Sequence, residues 1–462
     1  MVVNRHNLPN SFIFHRDFAT LSSRLQRTLN INQSRRFDFM AGQPLQLPTI
    51  QNWSCHSCGG CCKQHLIEVT EEERQRIIKQ NWTEEDGIPD DQPTMVKMSR
   101  LPWKNVYRLG HQPDGSCVFL DEKGLCRIHA KFGESAKPWP CRIYPFAFHP
   151  AGKRITVSLR YSCPSVVSNL GNEVSKQGKA LKEMTRAVVP EGVDKLPPPT
   201  VSARGTVDWP DFQQFIGALD TTFAAPSSPF IVKLLRALYW VAVLENAHFG
   251  VVKGNRLTEL LNLITEAATS DISKDSIQVE EPSRAGRLQF RMLVAQYARK
   301  DTLVDLDSGI SGRIKLLKAA LRFANGSGKI PPLQNAFKEI DFATLEKPFG
   351  GLTEEADEIF SRYFRVKIQG IHFCGRAYFD LPFVEGFRSL ALIYPSIMWL
   401  ARWLAASDDR EQLTTDDITQ AITIADHYHA YSPAFGKGSF RRRVKLLSFA
   451  GDIQKLCVWY DQ

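Results

Sequence analysis

The stretch Cys55-His56-Ser57-Cys58-Gly59-Gly60-Cys61-Cys62 organises the reading of the whole chain. Four cysteines fall within eight residues, in the pattern C-x2-C-x2-C-C. Two-residue spacing lets successive thiolates wrap one metal centre while the intervening backbone N–H groups point at the sulfurs. Gly59 and Gly60 relieve the crowding of such a wrap. Four more cysteines lie further along: Cys117, Cys126, Cys141 and Cys163. Eight of the ten cysteines therefore lie between residues 55 and 163, where an even scatter would put about two. Cys374 and Cys457 stand alone and read as buried small hydrophobes.

A disulfide framework is the competing reading. It is disfavoured because residues 1–11 lack the continuous apolar stretch of a secretory leader, and because a chain of 462 residues needs no staples to fold. Soft thiolates select an iron–sulfur cluster or zinc over hard cations. Cys55, Cys58 and Cys61 have the spacing of a bacterial ferredoxin half-motif, and Cys163-Pro164 supplies the remote Cys-Pro that completes such ligation. Eight thiolates suffice for two four-thiolate sites. The expected partition is Cys55, Cys58, Cys61 and Cys163 in one, and Cys62, Cys117, Cys126 and Cys141 in the other or as its redox reserve. Cys61 and Cys62 are expected to serve different centres because neighbouring side chains diverge. A 4Fe–4S cluster leads on this spacing. Structural zinc, which needs only paired knuckles, is the alternative. His56, His65, His129 and His149 read as neighbours of the centre or surface residues.

The rest of the chain sets the frame. The composition is ordinary for a globular protein, with 43% hydrophobic and 23% charged residues, which excludes fibrous and wholly disordered classes. The net charge of +9 is modest for this length and makes no case for nucleic acid. No stretch reads as a membrane span. The most apolar run, Leu390 to Leu400, lies between Arg388 and Arg402, is interrupted by Pro395 and falls short of the roughly 20 apolar residues required. A cytoplasmic location is expected.

The fold class expected is α+β: a small cysteine-rich module with hairpins, then a mainly helical domain. Residues 1–48 read as a basic arm, with six arginines against Asp17 and Asp38 and a helical spacing at Phe18, Leu21, Leu25 and Leu29. Residues 49–175 form the cysteine module. Within it Thr70 and Glu73 form a capping box that opens a helix to about Gln80. Ser116 to Ile128 and Phe146 to Tyr161 read as two hairpins. Residues 176–210, rich in proline, read as a linker. Residues 211–462 carry helices near 229–247, 255–268, 286–300, 311–324, 354–366, 384–406 and 415–431, with Thr414 or Thr415 capping the last. This region is expected to fold without metal and to offer a surface for a protein substrate or partner. Asp426-His427-Tyr428-His429 reads as a polar surface patch at a helix end, and Arg441 to Lys445 as a solvated helix face.

Cys55-x2-Cys58-x2-Cys61-Cys62, with Cys117-Val118-Phe119-Leu120, Cys126-Arg127-Ile128-His129 and Cys141-Arg142-Ile143-Tyr144-Pro145-Phe146, resembles the YkgJ-type CxxCxxCC cysteine-cluster family, a zinc- or iron-chelating domain. The resemblance covers about residues 53 to 165 and all eight cysteines. It implies metal binding. The family also includes flagellin lysine N-methylases, which join such a module to a helical region, so the resemblance also implies protein lysine N-methylation with S-adenosylmethionine as a second, enzymatic reading. The residues themselves show no Gly-rich nucleotide loop, no C-x3-C-x2-C triplet of radical S-adenosylmethionine enzymes, and no H-E-x-x-H, Walker A or G-x-S-x-G motif. They favour a non-catalytic or redox-sensing metalloprotein.

Overall fold

The computed structural model describes residues 43–98, 105–202, 205–245, 247, 249, 252–300 and 309–462. The expected basic arm lies almost wholly outside them. The architecture is α+β, with two small three-stranded sheets before residue 160 and helices after it.

The first part is built around turns. A five-residue helix, α1 (Gly60–Gln64), begins after Gly59, whose φ of +66° suits glycine. Strand β2 (Glu68–Val69) leads into α2 (Glu71–Ile78), and the capping box at its start is present: Thr70 Oγ1 accepts from Glu73 N and Glu73 Oε2 accepts from Thr70 N. β2 pairs with β4 (Tyr107–Leu109), which pairs with β3 (Met95–Lys97), all antiparallel. The hairpin expected over 116–128 is a turn without strands. Asp121 Oδ1 takes the N–H groups of Lys123 and Leu125, a local bond that fixes the turn. Only single bridges, His111–Cys117 and Leu120–Cys126, flank it. The chain then enters α3 (Arg127–Phe132), so no second strand forms. α4 (Trp139–Ile143) comes next.

The second hairpin matches its period-two pattern. β5 (Phe146–Ala151) and β6 (Arg154–Leu159) pair from Phe146↔Leu159 to Ala151↔Arg154, with Gly152 in the turn at φ +67°. β1 (Leu45–Gln46) adds to β6 in parallel. α5 (Pro164–Val167) closes this region. Residues 176–210, expected as a linker, contain α6 (Gly178–Val188) and bury Leu181, Val193 and Val201. Proline there limits the helices but does not stop the apolar side chains from packing.

The remaining helices are α7 (Trp209–Ala224), α8 (Phe230–Glu245), α9 (Asn255–Asp271), α10 (Arg284–Ala298), α11 (Gly309–Asn325), α12 (Phe342–Leu345), α13 (Glu354–Gln369), α14 (Phe383–Ala391), α15 (Ile393–Ser407), α16 (Thr415–Tyr428), α17 (Gly438–Phe449) and α18 (Asp452–Asp461). Thr414, not Thr415, caps α16. The run expected as one helix over 384–406 divides at Leu392, because Pro395 has no N–H for the carbonyl of Ala391 and crowds it. Cys457 Sγ lies 4.0 Å from that carbonyl oxygen. Phe383–Ser407 is long and apolar enough to cross a membrane, yet it is buried among the other helices. Arg402, within α15, donates to the carbonyls of Leu345, Lys347, Tyr460 and Gln462.

Two hydrophobic cores result. The large one runs through the helices and extends back to Phe146, Val157, Leu159, Tyr161, Cys163, Val166 and Val167. The β5–β6 hairpin therefore packs with the helices and shares their core. The small core comprises Ile77, Ile88, Leu109, Cys117, Val118, Phe119, Leu120 and Ile128.

Candidate metal centre

The cysteine-bearing loop is held against the large core by the residues just before it. Gln51 is buried; its Nε2 donates to Val166 O and Asn169 Oδ1, and its Oε1 accepts from Tyr161 OH at 2.6 Å. Trp53 N and Ser54 N then bond the carbonyls of Asn172 and Leu170. A Cβ on Gly171 would strike Ser54, so only glycine allows this approach. These bonds bring Cys55–Cys62 to Cys163-Pro164 across about a hundred residues of sequence. A Cβ at Gly60 would lie 3.5 Å from Cys58 Sγ and 3.9 Å from Pro164 Cδ. Cys55 and Cys58 are exposed and Cys163 is buried.

The other cysteines gather on the small core. Cys117 belongs to it, and Cys62, Cys126 and Cys141 pack against it. Cys117 N donates to Cys62 O at 2.8 Å. Glu73 Oε1 accepts from Trp139 N at 2.7 Å, fixing the helix that carries Cys141. The structure thus brings Cys58 close to Cys163-Pro164 at the large core and groups Cys62, Cys117, Cys126 and Cys141 on the small one. None of the ten cysteines is in a disulfide. As placed, no three Cys, His, Asp or Glu side chains among the described residues converge on one point, so ligation would draw the thiols inward.

The expected divergence of the Cys61 and Cys62 side chains is not seen. Cys61 Sγ and Cys62 Sγ lie 4.0 Å apart. In an extended strand neighbouring side chains point to opposite faces, but residues 60–64 are helical, where successive side chains turn by only about 100°. The contact splits their acidities. The bond from Cys62 brings the Cys61 thiol down to about 7, with Lys137 assisting, against burial. The same contact, then burial, pushes Cys62 well up. Burial raises Cys117 to about 12 and also raises Cys141 and Cys163. Buried thiols side by side are costly as thiolates unless a cation compensates them.

Next to the cysteines lies a polar cluster that includes Asp426, His427 and His429, which sequence reasoning assigned to the surface. Asp426 and Lys367 are fully buried and form an ion pair of 2.7 Å. Asp426 also accepts from Tyr363 OH and from Ser162 N, one residue before Cys163. Lys367 Nζ donates to Leu159 O and lies 3.4 Å from His372 Nδ1. His149 and His372 are in ring contact at 4.6 Å, and His429 Nδ1 meets Tyr297 OH at 2.9 Å. His65, from the cysteine module, stacks on His427 at 4.8 Å. The Nε2 atoms of His149 and His429 are buried without hydrogen-bond partners among the described residues. The signal was present in the sequence: Ile418, Ile422 and Asp426 keep a spacing of four, which places Asp426 on the buried face of α16.

Comparison with known proteins agrees with the site. Residues 54–164 match the CxxCxxCC family, described as "Putative zinc- or iron-chelating domain". Two proteins named lysine-N-methylase, from Salmonella typhimurium and Salmonella choleraesuis, are each 27% identical over 135 residues, covering 28% of this chain and 33% of theirs. A protein named flagellar biosynthetic protein FliU, from Salmonella muenchen, is 26% identical over 123 residues, 25% of this chain and 72% of that one. The match thus spans about a third of the lysine-N-methylases' length. No solved structure matches the chain. Residues 54–164 thus match the CxxCxxCC cysteine-cluster family, and that match supports metal binding by this segment.

Proposed function

We propose that the module holds an iron–sulfur centre of the 4Fe–4S type on its cysteine thiolates, and that the protein acts as a non-catalytic or redox-sensing metalloprotein whose helical region binds a protein. The observation that carries this reading is the junction itself. The C-x2-C-x2-C loop is tied by Gln51 to the helix opened by Cys163-Pro164, the arrangement that remote ferredoxin-type ligation needs. Cys62, Cys117, Cys126 and Cys141, grouped on the small core, supply a second set of four. Protein expressed and purified without oxygen is expected to be brown and to carry iron and acid-labile sulfide. Single Cys→Ser changes are expected to fall into two groups of four, each removing one centre. A single centre lost in all eight variants, or full metal content in Cys117→Ser and Cys126→Ser, overturns the two-site partition.

One observation favours zinc. The 4.0 Å between Cys61 Sγ and Cys62 Sγ is close to the roughly 3.8 Å between sulfurs on one tetrahedral zinc ion with bonds of about 2.3 Å. Colourless protein with stoichiometric zinc decides for that metal. Protein lysine N-methylation, with S-adenosylmethionine as donor, is the enzymatic alternative, supported by the names of the relatives that share the module. Mass spectrometry of a lysine-bearing protein substrate after incubation with the loaded protein and S-adenosylmethionine tests it.

A further inference from the structure

Helix α11 has a face that the core does not use. Phe323 and Ala319 point inward, while Ile314, Leu317 and Leu321 are 50%, 61% and 62% exposed. Spacings of three and four residues put these three in one stripe. Beside the stripe, Lys315, Lys318 and Arg322 are exposed. None of these cations has a carboxylate partner among the described residues. They form the rim of a cleft of about 280 Å³ between α11, the end of α10 and Pro331-Pro332-Leu333. Arg299 and Lys300 line the cleft as well, and among the described residues no Asp or Glu does. An apolar strip bordering a cleft whose charged lining, among the described residues, is basic is an uncommon surface for a globular protein, which usually intersperses both signs.

We propose that this surface docks an acidic, amphipathic helix of a protein partner. Its apolar side chains lie on Ile314, Leu317 and Leu321, and its carboxylates meet Lys318 and Arg322 and enter the cleft. This rests on the reading that the helical region binds a protein, and it is independent of the metal. The charge is complementary to carboxylates, and the helix-on-helix stripe is a recurrent recognition mode. An anionic bilayer would satisfy the rim lysines. A flat headgroup layer leaves the cleft and its Lys300 unused, however, so the concave geometry favours a side chain from a folded partner.

The test uses the full-length protein and a fluorescein-labelled synthetic helix of about 20 residues with a leucine stripe flanked by glutamates. Its companions are the same peptide with glutamine for glutamate and vesicles of phosphatidylglycerol and phosphatidylcholine. Anisotropy is expected to show micromolar binding of the acidic peptide and at least about tenfold weaker binding of the glutamine peptide. Lys318→Glu/Arg322→Glu is expected to weaken binding at least about tenfold, and Leu317→Ser/Leu321→Ser about fivefold. Far-UV circular dichroism and metal content should be unchanged in both variants. Equal binding of the two peptides, no binding by the unaltered protein, or undiminished binding by either folded variant overturns the proposal. So does retention on vesicles by a protein that ignores the peptide. Metal content, counted on the same samples, separates this outcome from the metal reading, because metal-free protein that binds the peptide defeats only the latter.

Discussion

Lys367 shows what a single buried charge demands. Burial lowers its ammonium pKa, and Asp426 opposes that shift. Removing the carboxylate leaves an uncompensated charge in the core, which costs about 3–5 kcal/mol in comparable buried pairs. Asp426→Ala is therefore expected to lose about that much stability in urea unfolding. Replacing both partners, Lys367→Met with Asp426→Leu, is expected to lose clearly less, because an apolar pair leaves no orphan charge. Unfolding midpoints of the two variants that coincide would show that the pair carries no such coupling. The cysteines were legible at this scale because thiolate spacing is local chemistry. The Lys367–Asp426 pair was not, because its burial is created by Ser162 and Leu159, more than two hundred residues earlier in the chain.

At the scale of the element, local signals predicted well where they were complete. The Thr70–Glu73 box and the alternation over β5 and β6 each contain their own stop and start. Thr70→Ala is expected to destabilise α2 by about 1 kcal/mol. Glu73 also holds Trp139 N, so Glu73→Ala should cost more than Thr70→Ala and should weaken metal retention by loosening the helix of Cys141. Thermal unfolding with metal analysis on both variants checks the order. The turn at Asp121 was legible too, but its strands were not. Whether the residues beyond a turn pair or coil is set by the next element, here a helix begun at Arg127. The break at Leu392 was written in Pro395, although apolar periodicity alone runs through it.

Across the whole molecule, the division of labour differs from the sequence expectation of a self-sufficient helical half. The large core takes in the 146–167 segment, so a fragment of about 205–462 would expose the face of α13 that β6 covers and strip Lys367 and Asp426 of two partners. Such a fragment is expected to aggregate, whereas one beginning near residue 140 should stay monomeric by size-exclusion chromatography. The buried histidines add a pH dependence. Burial, reinforced by the charge of Lys367, brings His149 and His429 down to about 3 from 6.5. Both are neutral when folded, and the unfolded chain takes up protons first as pH falls. Their contribution is complete above about pH 6.5 and is lost towards pH 3, at up to about 1.4 kcal/mol per pH unit for each. Urea midpoints should fall steadily from pH 7 to pH 4, and His429→Phe should flatten that slope. A slope unchanged by the substitution would assign the effect elsewhere.

The cysteines also stand on two different foundations, Cys163 in the large core and Cys62, Cys117, Cys126 and Cys141 on the small one. The two proposed centres meet at the Cys61–Cys62 pair, so together they form a clasp. Oxidative loss of the metal would then be felt as slack between two bodies rather than as unfolding of either. The stripped protein should keep its helical content yet scatter X-rays as a broader, less uniform particle, so the metal state of the molecule would be readable from its shape.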